Sequence, residues 1–151
     1  MRKTSIKEKI INIVAMSALI CATICMPVMA KTYKWSMTLN YGVCDGHENG
    51  VHYKADKGDD INVTGTVTFV SKDNTLVKES YDTYCIVYRK QWFGSEKIAT
   101  QKLDTFKSIG DKSYIDISAE ATKDSSKYYL YFYKVADDGY NLEGSGKIVI
   151  D

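Results

Sequence analysis

The chain has 151 residues, with 20 basic and 19 acidic side chains and a nominal net charge of +1. That length suits one ordinary domain, and 26% charged residues exclude a bulk membrane protein or a charge-driven disordered tail. Near-neutrality argues against nucleic-acid binding, which draws on a basic excess to displace counterions from phosphates.

In chain order the first element is an export signal. Arg2, Lys3, Lys7 and Lys9 form a basic start, an apolar run follows from Ile10 to Met29, and Val28-Met29-Ala30 offers small residues at a cleavage site before Lys31. An uncleaved anchor is the alternative, since about 20 apolar residues can span a bilayer. Pro27 and the Val-Met-Ala ending favour cleavage, so no stable membrane insertion is expected afterwards. Neither Cys21 nor Cys25 follows a small residue, which argues against lipoprotein processing. Residues 1–30 take four basic groups and one acid with them. The exported domain, residues 31–151, then has a net charge of −2 and keeps all 18 aromatic side chains.

From Tyr33 to Val43 apolar residues alternate with polar ones, the period of a strand with one face on a core. Ile61, Val63, Gly65, Val67 and Phe69 alternate with Asn62, Thr64, Thr66 and Thr68 in the next strand. Ser71-Lys72-Asp73-Asn74 is turn chemistry, and Leu76-Val77 is read as a short edge strand. A strand over 82–92 turns at Phe93-Gly94-Ser95 and returns through 97–103 as a hairpin. Another strand centres on Ile115, Ile117 and Ala119. Residues 127–136 are bulky on both faces, with Tyr129, Tyr131 and Tyr133 opposite Tyr128, Leu130 and Phe132, which marks a central strand. The chain closes with a strand at 146–150.

These elements predict an all-β fold: an antiparallel β-sandwich of about seven strands, loosely immunoglobulin-like, with a small β-barrel as the alternative. No Trp lies between Cys44 and Cys85, which departs from a true immunoglobulin domain. In an exported chain those two cysteines are expected to form one disulfide, worth about 4 kcal/mol on the chain-entropy model. Two buried free thiols are the alternative.

Both histidines fall in the loop Cys44–Tyr53, where His47 and His52 with Asp45 and Glu48 make a donor set that zinc would accept, although the spacing matches no known signature. The acidic stretches Asp56–Asp60 and Asp137–Gly139 are read as turns rather than calcium loops. Asn62-Val63-Thr64 matches a glycosylation acceptor, but its place within a strand gives it no weight. No Gly-x-Ser-x-Gly elbow accompanies the histidines, and a bridged cysteine pair leaves no thiol nucleophile. No enzyme activity and no cofactor are expected.

The aromatic surplus points instead to binding. Tyr129, Tyr131 and Tyr133 line one strand, Tyr84 and Tyr88 another, and Trp92-Phe93 sits at a hairpin tip. Rigid amphipathic rings bind sugar faces or proteins at low entropic cost. The leading expectation is therefore a secreted extracellular binding module for a carbohydrate, cell-wall component or protein. A secreted bacteriocin-like toxin or enzyme inhibitor is the alternative, and a small metal-dependent enzyme using the His47/His52 loop a weaker one.

Overall fold

The computed structural model describes residues 30–73 and 80–151. The expected export signal, apart from Ala30, and the short strand at Leu76-Val77 lie outside the described residues. Every regular element among the described residues is a strand: β1 (Lys31–Leu39), β2 (Val43–Asp45), β3 (Tyr53–Ala55), β4 (Asp60–Lys72), β5 (Thr83–Lys90), β6 (Ser95–Lys102), β7 (Lys112–Glu120), β8 (Ser125–Lys134) and β9 (Tyr140–Ile150).

They form two antiparallel sheets. One runs β1-β9-β4-β7; the other runs β2-β8-β5-β6, with β3 also on β8. The second sheet's short strands β2 and β3 pair with the same strand, through Val43↔Tyr133 at one end and Tyr53↔Tyr128 at the other, so they act as one interrupted strand. Counted that way, eight strands make two sheets of four. Among the described residues, only β5 and β6 are neighbours both in sequence and in a sheet.

The sandwich is as the alternation predicts, and two separate sheets set the barrel aside. The immunoglobulin likeness requires correction. An immunoglobulin domain keeps its first two strands and its fourth and fifth together in one sheet. Here nearly every connection crosses between sheets, which is the order of a jelly roll.

Inward-facing residues of both sheets make a single core, with Leu39, Ile61, Val67, Phe69, Leu142 and Ile148 among its most buried members. Its centre is a slot in the first sheet. Trp35 is paired with Gly146, and Gly146 with Gly65 on the next strand. All three positions face inward, so the missing side chains leave a channel in which the Trp35 indole lies. Its Nε1–H donates to the Thr64 carbonyl at 3.2 Å. The ring also meets Phe132 of the opposite sheet, centroid to centroid 5.4 Å.

Two boundaries differ from expectation. The alternation from Tyr33 to Val43 is one strand in sequence but two in space, because the chain bends at 40–42 and changes sheet. Period-two patterning continues through such a corner and carries no mark of it. Strand β9 begins six residues earlier than 146, since its inward positions Gly144 and Gly146 are occupied by Trp35 rather than by their own side chains.

The disulfide expectation is overturned. Cys44 and Cys85 are both free thiols. Each is the register partner of Phe132, one from either side of β8. Two strand spacings separate them by about 10 Å, beyond the Cα–Cα reach of about 6.8 Å that a disulfide allows. Burial pushes the Cys85 thiol up to about 12, so it behaves as a small core hydrophobe. Burial also raises Cys44, less strongly.

Candidate functional site

The solvent face of the second sheet carries an unusual row of rings. Along β8 the inward positions are Tyr128, Leu130 and Phe132, which leaves Tyr129, Tyr131 and Tyr133 on the other side. Strand β5 alternates in the same way, with Thr83, Cys85 and Val87 inward and Tyr84 and Tyr88 outward. Antiparallel register sets Tyr84 opposite Tyr133 and Tyr88 opposite Tyr129. Both pairs stack, with centroids 5.2 Å and 5.7 Å apart and interplanar angles of 14° and 25°. Tyr131 closes the ladder between them, edge-on to Tyr88 at 5.5 Å and tilted against Tyr133 at 6.1 Å. Cross-strand aromatic pairs of this kind stabilise a sheet by about 0.2–1 kcal/mol each and hold the rings in place.

The five rings do not share one role. Tyr129 is only 4% exposed. His47 and His52 cover it, with centroids 5.5 Å and 6.3 Å away, and its hydroxyl donates to Ser95 Oγ at 2.8 Å. It anchors the face and cannot contact a ligand, which corrects its assignment as a binding residue. Tyr84, Tyr88, Tyr131 and Tyr133 remain half-exposed. Burial pushes the Tyr131 phenol above its ordinary value, with Asp45 adding to the effect, so it stays protonated and able to donate.

The loop from Cys44 to Tyr53 borders this face. Asp45 Oδ1 accepts the amides of His47 at 2.7 Å and of Glu48 at 3.4 Å, so its carboxylate shapes the turn. His47 Nδ1 and His52 Nε2 lie 2.8 Å apart and share one hydrogen bond. The expected metal set of His47, His52, Asp45 and Glu48 is therefore not assembled. The two imidazole nitrogens face each other, Asp45 faces the backbone, and Glu48 is exposed. Among the described residues no group of three or more His, Cys, Asp or Glu could hold a metal ion. The acidic stretches are turns as expected: Asp59 Oδ2 accepts the Asp56 amide and Asp137 Oδ1 the Gly139 amide.

The shared hydrogen bond requires one neutral ring, which gives this loop an acid response. Burial, followed by the nearby His47 and Lys127, holds His52 below its ordinary value, while Asp45 acts the other way. Between the two values the unfolded chain binds more protons, so stability rises with pH there. The contribution is complete above a pH of about 6.5 and is lost as the pH falls through the lower folded value. Amide exchange over 46–52 is expected to quicken on acidification, and His52→Gln should remove the change. A His52 ring titrating at or above its ordinary value by NMR would refute it.

At the end of the face next to Tyr129, the β5–β6 hairpin carries Trp92 and Phe93, the two most exposed large apolar side chains among the described residues. Sequence reading identified both the tip and the tyrosines of β8. The basic residues beside the tip, Lys90, Lys123 and Lys127, escaped it, because the β7–β8 turn and β5 meet only through sheet register.

No family model and no curated protein matches the sequence. Among solved structures, the chain is similar to the infectious bursal disease virus VP2 subviral particle at 11% identity and TM-score 0.48, over 83% of this chain and 36% of that one. It thus spans about a third of that viral chain. The Yersinia pseudotuberculosis-derived mitogen is similar at 12% identity and TM-score 0.38, over 78% of this chain and 86% of that one. Desmodium yellow mottle tymovirus is similar at 10% identity and TM-score 0.31, over 81% and 86% respectively.

Proposed function

We propose that the protein is a secreted, non-enzymatic binding module that holds an extracellular glycan chain across the tyrosine face of its second sheet. One observation carries this reading: four half-exposed tyrosines held in one cross-strand ladder, with Tyr84 stacked on Tyr133, Tyr88 stacked on the buried Tyr129, and Tyr131 packed between the stacks. Rings already ordered lose little entropy on binding, so more of the contact energy survives as affinity. The half-exposed stretch from Tyr84 to Tyr88 is four residues, about 14 Å along the strand. A flat, open ridge of that length, edged with phenolic hydroxyls, suits a polymer segment better than a small molecule, which needs a concave pocket.

Screening the purified protein on a glycan array and on cell-wall polysaccharide should reveal a ligand. Alanine at both Tyr131 and Tyr133 should then weaken binding about tenfold or more, the scale of a tyrosine hot spot. Blank screens, or affinity unchanged in the double variant, would dispose of the glycan. Capture of a single secreted protein by the same face would assign the surface to a protein target instead.

A further inference from the structure

The hairpin tip has a chemistry of its own. Gly94, at φ +74°, occupies a left-handed conformation that most side chains resist, and the Gln91 amide donates to its carbonyl at 3.1 Å. This tight turn projects Trp92 and Phe93 beyond the sheet, 91% and 86% exposed, edge to face with each other at 6.3 Å. Neither contributes to the core. Two adjacent aromatic rings held in water at a protruding tip mark a contact surface.

A cationic collar surrounds them. Lys90, Lys123 and Lys127 line the shallow concavity at the base of the tip together with Trp92 and Phe93. The Tyr128 hydroxyl donates to the Lys123 carbonyl at 2.7 Å and fixes the turn that presents Lys123. Of the nearby carboxylates, Glu96 is bonded by Arg89 and Gln91 and feels Lys123 only as a weaker, more distant charge, and Asp124 accepts the Lys57 amide at 2.7 Å. This basic patch stands out in a domain whose net charge after residue 30 is −2.

We propose that the tip is a peripheral membrane anchor. Trp92 and Phe93 enter the boundary between headgroups and acyl chains of an anionic bilayer, while Lys90, Lys123 and Lys127 remain at phosphate level. Charge complementarity and layering carry the argument. Trp favours the membrane interface, and lysine stems can lie along apolar surface with their ammonium groups in water. A convex pair of rings offers a sugar no flat platform and no converging donors. Each lysine near an anionic surface adds about fivefold in affinity. Two rings bury far less apolar surface than a spanning helix, so the contact made by the tip is reversible.

The chain contains a built-in probe, because of its two tryptophans Trp35 is buried and Trp92 is exposed. On phosphatidylglycerol–phosphatidylcholine vesicles the protein should co-sediment, its emission should shift to the blue, and brominated acyl chains should quench it. Phosphatidylcholine alone, or Lys123→Glu with Lys127→Glu, should bind about tenfold more weakly or worse. Trp92→Ala with Phe93→Ala should lose vesicle binding yet keep any glycan affinity, whereas Tyr131→Ala with Tyr133→Ala should do the reverse. No sedimentation on anionic vesicles at low salt would overturn the anchor, as would equal binding to zwitterionic ones or undiminished binding by the tip variant. Binding to a soluble glycerol-phosphate polymer with no change in emission would assign the lysines to a polyanion and overturn it equally.

Discussion

Gly146→Ala is expected to destabilise the protein by about 3 kcal/mol or more, at or beyond the upper end of ordinary overpacking. A methyl at this position would lie 2.0 Å from the Thr64 carbonyl oxygen and 2.6 Å from the Gly65 Cα, both backbone atoms of a hydrogen-bonded neighbour strand. It would also lie 2.8 Å from Trp35 Cε2. The indole can shift, but the two strands cannot part without breaking the ladder. Trimming Trp35 as well should therefore fail to rescue the variant. Two other glycines calibrate the effect. Gly144→Ala meets only the ends of Met37, Val67 and Trp35 at 3.1–3.2 Å, and should cost about 1 kcal/mol. Gly42→Ala meets nothing within 4 Å and should be neutral to about 0.5 kcal/mol. Denaturant titration followed by Trp35 fluorescence would rank the three. A Gly146→Ala protein within about 1 kcal/mol of the parent would show that the slot is not what fixes this sheet. The slot also supports the candidate site, since Trp35 meets Phe132 on β8, whose other face carries Tyr131 and Tyr133.

The strands and their faces were legible in the sequence because one side of each is buried, and burial imposes the alternation that reading detects. The β5–β6 hairpin and the central position of β8 followed from the same signal together with the Phe93-Gly94-Ser95 turn. Strand order did not follow. Nothing in the spacing of β1 says that its partner is β9, about a hundred residues away, and not β2. The disulfide failed for that reason: Cys44 and Cys85 are brought to the same level of one sheet, but with β8 between them. Composition made the tyrosines of β8 conspicuous, whereas register alone reveals that Tyr84 and Tyr88 complete the ladder and that Tyr129 is its buried anchor. The histidine loop offers a ligand set in sequence that the fold does not assemble. Proximity in sequence brought the two imidazoles together, and the hydrogen-bonding demand of the loop's own amides took Asp45 away.

Lys134→Met is expected to cost about 3–5 kcal/mol, the penalty for leaving one member of a buried ion pair alone. Lys134 follows Tyr133 on β8 and points inward, where its ammonium meets Asp138 Oδ1 at 2.8 Å with both side chains fully buried. It donates to the Tyr140 carbonyl as well. Asp138 accepts two amides besides, from Tyr81 at 2.7 Å and from Tyr140 at 2.9 Å, so this one carboxylate ties the approach to β5 to the turn before β9. Without the lysine the carboxylate keeps those amides but loses its countercharge in a site closed to water. Asp138→Asn should be similarly damaging, because it leaves the ammonium unpaired and turns an acceptor into a donor facing one of the amides. The double variant should cost clearly less than the two singles together, by roughly 2–3 kcal/mol, since no isolated charge remains. Hydrogen exchange at Tyr81 and Tyr140 would locate the damage, and a denaturation-based double-mutant cycle would measure the coupling. Singles that add to the double within about 0.5 kcal/mol would mean the pair is incidental to the fold. A coupled result would place a buried charge pair directly behind the Tyr84–Tyr133 stack, where it fixes the end of β8 that presents the proposed binding face.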